Sequence, residues 1–228
     1  MRIEDLNWMD VEGYLKQQDR LILVVGACEQ HGYLSLLTDV KIPLALADAA
    51  STQTGVLVAP PLNFGASPYF IAYPGTFSLR LSTLMDTLED VIRSAYGQGF
   101  RRILVLNGHG GNNGVKMRLG ELVNQLSGLD IRWYAWWMSR SVEEVAMRHG
   151  IKPDHANWLE AFPFTIVGSL PEGEKAPPLV PSEVMDSKTA RQVYGDGSFG
   201  GRYQVPQEIM QELFAACLAD ILQALRFD

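Results

Sequence analysis

Short unbroken apolar runs alternate along this chain with stretches whose apolar residues recur every three or four positions. That alternation is the pattern of βαβ units wound around a mostly parallel sheet. Residues 21–26 are continuously apolar, as a strand covered on both faces requires. Residues 42–53 are alanine-rich and predict a helix, and 55–59 predict a short strand stopped by Pro60 and Pro61. Residues 62–78 mix Asn, Gly, Ser and Pro with aromatics and predict a long loop, a frequent place for function. Residues 82–96 predict an amphipathic helix with Ser82 as its N-cap and Leu84, Leu88, Val91 and Ile92 on one face. The run 101–106 is the clearest strand, 113–126 a helix closed by Gly128, and 131–137 a strand carrying Trp133, Trp136 and Trp137. A helix over 142–149 ends at Gly150. Residues 155–168 fit helix or strand, with the helical reading running through Phe162 and breaking at Pro163. Residues 171–206, rich in Pro and Gly, predict an excursion from the sheet, and 207–225 a terminal helix. The expected architecture is α/β, a single domain over residues 1–228.

Composition narrows the function classes. The 228 residues are 47% hydrophobic and 20% charged, ordinary for a globular protein that needs no membrane. A net charge of −7 argues against a nucleic-acid surface, which needs clustered Lys and Arg. No apolar run approaches the roughly 20 residues that span a bilayer. The first ten residues carry acids and lack the apolar core of a secretory signal, so a cytoplasmic location is expected. Two distant cysteines, Cys28 and Cys217, predict neither a disulfide framework nor a metal-type cysteine pair. Cys28 adjoins Glu29 and is a candidate nucleophile, although a small buried residue at a strand end is the stronger reading.

The candidate chemistry sits where strands end. Glu29-Gln30-His31-Gly32 comes directly after the first strand, and Asn107-Gly108-His109-Gly110-Gly111-Asn112 closes the third. In open parallel sheets the carboxyl ends of strands are where ligands bind. Glu29 and His31, one residue apart in an extended segment, lie on one face. Asp39 returns after a short loop, and its two oxygens suit it to bridge two ions. Histidines with carboxylates suit zinc first, with manganese and iron as alternatives. The glycine-rich turn has neither the G-x-G-x-x-G order nor a Walker lysine, so it predicts a metal-ligand loop whose backbone amides at Gly110 and Gly111 face a substrate. A third cluster, Asp154-His155-Ala156-Asn157-Trp158-Leu159-Glu160, adds a histidine and a carboxylate. Tyr69, Phe70, Tyr73 and Trp158 are candidate walls for a substrate.

In order and approximate spacing, Glu29-Gln30-His31-Gly32 with Asp39, Pro74-Gly75-Thr76, the 107–112 turn, and His155 with Glu160 resemble the creatininase (creatinine amidohydrolase) family. The resemblance implies a three-layer α/β/α sandwich, two divalent metal ions per chain, a homo-oligomer with the hexamer as a family form, and hydrolysis of non-peptide or cyclic amide C–N bonds of a small molecule through a metal-bridging hydroxide. It implies Glu29, Asp39 and His109 around one metal, and His31, Asp39 and a further glutamate around the other. In creatininase that glutamate lies two residues after the loop histidine, where this chain has Gly111. Members with the glycine-rich loop use a later glutamate, which corresponds to Glu160. His155 resembles the catalytic histidine. Tyr33-Leu34-Ser35-Leu36 replaces the usual Pro-His-Leu-Pro, Asn157 replaces a glycine, and Ile151-Lys152-Pro153-Asp154 stands where creatininase has a flap tryptophan. These departures imply a substrate other than creatinine. A formamide or modified-peptide hydrolase, a cysteine hydrolase built on Cys28, and a non-catalytic binding protein are the alternatives.

Overall fold

The computed structural model describes residues 1–228. In chain order its main elements are α1 (Trp8–Leu15), β1 (Arg20–Val25), α2 (Thr38–Thr54), β2 (Leu57–Val58), α3 (Leu81–Gln98), β3 (Arg102–Asn107), α4 (Lys116–Gln125), β4 (Asp130–Ala135), α5 (Arg140–His149), β5 (Glu174–Lys175), α6 (Ser187–Tyr194), β6 (Gly201–Arg202) and α7 (Gln207–Ala224). The central sheet has the order β2-β1-β3-β4 and every pairing in it is parallel. Side chains alternate between its faces. Ile22, Val24, Leu104 and Leu106 join one apolar cluster with α2, α5 and α7. Leu21, Leu23, Val25, Ile103 and Val105 join the other with α3 and α4. The result is the three-layer α/β/α sandwich with helices on both faces of a parallel sheet. No helix is long and apolar enough to cross a membrane.

Several expectations change in detail. Periodicity does not reveal α1, although its start carries a sequence signal: Asn7 and Asp10 form a reciprocal capping box. The helix after the first loop begins at Thr38, not at 42, so Asp39 is helical and not a loop residue. α3 begins at Leu81 after Arg80, leaving Ser82 inside the helix and not at its cap. Residues 110–115 form a 3-10 turn before α4, and the 131–137 strand ends at Ala135, where Trp136–Met138 is again 3-10. Of the expected helix to Phe162, only Trp158–Glu160 is helical, as one 3-10 turn. The 171–206 excursion holds α6 and a two-stranded antiparallel ribbon, β5 with β6.

What positions the site is the way α2 enters the sheet. Pro43 lies inside α2 and has no N–H to offer the carbonyl of Asp39 one turn earlier. That carbonyl projects instead against the carboxyl ends of β1 and β3. A β-carbon at Gly26 would lie 2.5 Å from the Asp39 oxygen, and one at Gly108 would overlap it. Both strands therefore end in glycine where the first turn of α2 wedges between them. Gly26 N–H donates to Leu62 and Gly108 N–H donates to Val25, at 2.9 Å each, which holds the strand ends in place.

Gly108→Ala should therefore destabilise the protein by about 3 kcal/mol, the upper part of the overpacking range. Gly97, with open space around it near the end of α3, is the control. Gly97→Ala should raise stability by about 0.5–1 kcal/mol. Urea unfolding midpoints compare the two directly.

Candidate metal centre

Five buried side chains meet at the carboxyl end of the sheet. Glu29 and His31 come from the segment after β1, Asp39 from the first turn of α2, His109 from the turn after β3, and Glu160 from the 3-10 turn at 158–160. None is more than 6% exposed. They form two sets that share Asp39: Glu29, Asp39 and His109, and His31, Asp39 and Glu160. His31 Nε2 lies 2.9 Å from Asp39 Oδ1 and 3.7 Å from Glu160 Oε1. His109 Nδ1 lies 2.8 Å from Asp39 Oδ2, and its Nε2 lies 3.5 Å from Glu29 Oε2.

The surrounding bonds fix which atoms face inward. His31 Nδ1 donates to its neighbour Glu29's carbonyl at 3.0 Å, which leaves Nε2 with its lone pair towards the carboxylates. His109 Nε2 donates to the Ala66 carbonyl at 3.0 Å, with Ser67 Oγ at 3.1 Å, which leaves Nδ1 facing Asp39. Glu160 Oε2 accepts from the Ala156 N–H at 2.6 Å, so Oε1 is the oxygen turned to His31. Ala156 takes φ 53°, a left-handed conformation rare outside glycine, and presents its amide to that oxygen. Asn157 caps the turn by accepting from Leu159 N–H at 3.0 Å and ties it down by donating to the Lys152 and Gly200 carbonyls.

Residues from the neighbouring loops brace these side chains. Thr76 Oγ1 accepts from Gln30 N–H at 3.0 Å, and Phe77 N–H donates to the Cys28 carbonyl at 2.9 Å. Asn107 closes on His109 through both backbone groups, and Asn112 bonds Gly26, Ala66 and Asn107. A β-carbon at Gly111 would overlap the Ala66 carbonyl, the same oxygen that orients His109. A glutamate does not fit at 111, which leaves Glu160 as the carboxylate beside His31.

Charge and hydrogen bonding both bear on whether metals fit. Three carboxylates sit together with no lysine or arginine among the residues lining their cavity. Glu29 Oε2, His31 Nε2 and Asp39 Oδ2 are buried without a hydrogen-bond partner, although each has an opposite charge within 3.5 Å. Atoms that are close but not aligned with one another suit a shared ion between them better than mutual hydrogen bonds. With the imidazoles charged instead, burial pushes the Glu29 carboxyl up to about 7, against the pull of His109. Burial also opposes charge on His31 and His109, but Asp39 and Glu160 around the first and Glu29 and Asp39 around the second hold both up, His109 to about 9. Asp39, where burial is outweighed by these two imidazoles, falls well below the usual carboxylate range.

His155 belongs to neither of these two sets, but with Glu29 and His31 it forms a third group of possible ligands. Its Nε2 is 2.9 Å from Gln30 Nε2 and 4.0 Å from Glu29 Oε1. Gln30 Oε1 accepts from Gly32 N–H, which assigns its amide nitrogen as the donor to His155 and to the Gly197 carbonyl. Phe70 stacks parallel to the ring at 5.5 Å and Phe199 packs at 4.7 Å. Burial and then the charge of His31 push His155 down to about 4.

These groups open on a cavity of about 310 Å³. Gly110, Gly111 and His155 line it. Tyr73 and Trp158 do not. Tyr73 packs behind Phe70 with its hydroxyl donating to Arg191, and Trp158 is fully buried in the core with Nε1 donating to Lys152. The walls are instead Phe70, Trp137, Pro153, Asp154, Leu159 and Phe199. Phe199 arrives from the excursion, held there by Lys175, whose Nζ donates to Asp196 and to the carbonyls of Tyr194 and Ser198. Nothing in the sequence marks Phe199, whereas Trp137 carries a signal in its place at the end of the tryptophan-rich run.

A family model described as Creatininase: Creatinine amidohydrolase matches residues 4–225. The chain belongs to the creatininase family. Creatinine amidohydrolase of Pseudomonas putida is 34% identical over 132 residues, 53% of this chain and 51% of that protein. The 3-dehydro-scyllo-inosose hydrolase of Thermotoga maritima is 37% identical over 98 residues, 42% of this chain and 32% of that one. The mycofactocin precursor peptide peptidase of Mycolicibacterium smegmatis is 39% identical over 99 residues, 40% of each chain. The match thus spans about half or less of these curated relatives. A solved structure described as Creatininase Mn has a TM-score of 0.82 at 24% identity, covering 99% of this chain and 97% of that one. It establishes the creatininase fold.

The metal-free protein should lose stability as pH rises from about 6.5 to 9. Glu29 and His109 both bind protons more tightly folded than unfolded, so their stabilising contribution is present at low pH and lost as pH climbs, through about 7 for Glu29 and about 9 for His109, while His155, pushed down to about 4, works the other way and offsets Glu29 below about 6.5. Zinc added to chelator-treated protein should restore the midpoint and release roughly two protons per chain at pH 7. Urea melts across pH and proton release in weakly buffered solution measure the two effects.

Proposed function

We propose that this protein is a metal-dependent amidohydrolase that holds two divalent ions and cleaves a non-peptide or cyclic amide C–N bond in a small molecule. The observation that carries the proposal is the set of buried, unbonded donor atoms on Glu29, His31 and Asp39. In this reading Glu29, Asp39 and His109 hold one ion, and His31, Asp39 and Glu160 hold the other, with Asp39 common to both. Oxygen and imidazole donors suit zinc, with manganese or iron as alternatives. Divalent ions bound there supply Lewis-acid polarisation of the carbonyl and lower the pKa of water at neutral pH.

The chain's own groups do the rest. In this reading His155 is neutral at rest, because its burial disfavours charge. It therefore accepts a proton from the attacking water at Nε2, displacing the Gln30 amide, and then delivers that proton to the departing nitrogen. In this reading the backbone amides of Gly110 and Gly111, which line the cavity, donate to the developing oxyanion. Phe70, Trp137 and Phe199 exclude water and shape the cavity.

The names of the relatives support hydrolysis and differ in what is hydrolysed. Creatinine is disfavoured, because Pro153 and Asp154 line the cavity in the segment where creatininase has its flap tryptophan. A cysteine mechanism is disfavoured too. The Cys28 thiol donates to the Gly75 carbonyl at 3.3 Å, lies outside the cavity lining and is pushed up by burial, the reverse of an activated thiol. A homo-oligomer belongs to the same proposal, supported by the exposed pair Phe64 and Phe77, which pack edge to face on the surface.

Metal-loaded protein should hydrolyse at least one member of a panel of creatinine, cyclic ureides, formamides and short peptides, and chelation should abolish the activity. His155→Ala should lower kcat by about 100-fold or more while metal content stays near wild type. Asp39→Ala should lose most of both ions, and Cys28→Ala should remain active. Elemental analysis beside turnover decides it: less than about one tightly held ion per chain, with no activity restored by metal, ends this reading.

A further inference from the structure

Phe70 separates two cavities that meet at the same buried groups. The first is the His155 cavity. The second, about 490 Å³, also reaches Glu29, His109 and Gly111 but not His155. Its walls are apolar, formed by Phe70, Ile71 and Leu81 among others, and Arg80 lies along it. Arg80 is exposed and extended just before α3, and its guanidinium makes no ion pair or hydrogen bond within the protein. Arg93 and Arg118, on the neighbouring helices, are both bonded to Glu89.

We propose that the second cavity receives the acyl arm of the substrate, an apolar chain ending in a carboxylate that pairs with Arg80. The inference rests on the amidohydrolase reading and extends it to a substrate class: monoamides of aliphatic dicarboxylic acids. The side is set by His155. Its cavity takes the nitrogen that must receive a proton, so with the carbonyl at the shared Glu29–His109 floor the acyl chain runs the other way, past Phe70 and Leu81. Apolar walls favour methylene groups over water. An unpaired arginine beside them supplies a charge complementary to a terminal carboxylate, whereas the His155 cavity offers none.

The test compares suberic acid monoanilide with its methyl ester as substrates for the metal-loaded full chain. The free acid should be preferred in kcat/KM by roughly two- to fivefold, the range for a partly exposed Arg–carboxylate pair. Arg80→Ala should bring the ratio to about one, and Arg80→Lys should keep part of it. Suberate binding, measured by calorimetry with octanoate as the control, should weaken by a similar factor in Arg80→Ala. A wild-type ratio of one, or a ratio unchanged in Arg80→Ala, overturns the proposal. If no amide is hydrolysed but Arg80→Ala still weakens suberate selectively, the carboxylate site stands and the hydrolase reading falls. If amides are hydrolysed while suberate binds both proteins equally, the site falls alone. A changed sedimentation coefficient in Arg80→Ala with unchanged suberate affinity marks Arg80 as a subunit contact, and also overturns it.

Discussion

The centre of this protein depends on a backbone contact, the Asp39 carbonyl seated between Gly26 and Gly108. Side-chain ligands can be placed on any fold, but a shared carboxylate must stand between its two partner sets. Here that requirement is met by driving the first turn of a helix between the carboxyl ends of two adjacent parallel strands. Three residue choices in distant parts of the chain make it feasible. Pro43 releases the carbonyl from its helical bond, and two glycines remove the β-carbons that would meet it. The helix N-terminus also favours the carboxylate it carries, since the helix dipole is positive there.

The placement of the other candidate ligands depends on that wedge. His31 and His109 approach Asp39 from the carboxyl ends of the two adjacent strands, each oriented by a carbonyl on its far side. The Gly111 position has no room because the oxygen that orients His109 fills it. A carboxylate from the 158–160 turn takes up the remaining side, and the left-handed Ala156 turns an amide to hold it. Local strain at such a point is retained because the surrounding contacts, including the three Asn157 bonds, over-determine it.

Much of this arrangement is legible in the sequence. Strands buried on both faces leave continuous apolar runs, so β1 and β3 stand out, and the residues just beyond them fall at the ligand end of the sheet. The helices α3 and α7 are long enough for their apolar period to show. Periodicity fails where elements are short or start from capping chemistry: α1, the Thr38 start of α2, and the single turn at 158–160. The site's walls are harder to read. Aromatics near ligand motifs, such as Tyr73 and Trp158, invite assignment as walls, yet one backs Phe70 and the other fills the core. Phe199 reaches the cavity through a lysine-tethered excursion, a tertiary fact with no local periodicity to announce it.

The packing of α7 against α2 has a consequence for how the molecule is made. Ile42, Leu46, Ala47 and Ala50 of the helix that carries Asp39 share a core with Leu213, Cys217, Ile221 and Leu225. Synthesis runs from the N-terminus, so every candidate ligand, from Glu29 to Glu160, leaves the ribosome before the helix that seats Asp39 against the sheet. The order of emergence is thus the reverse of the order of dependence. A nascent chain carries all of these side chains with no fixed spacing between them, and a segment translated after all of them gives the cluster its defined geometry.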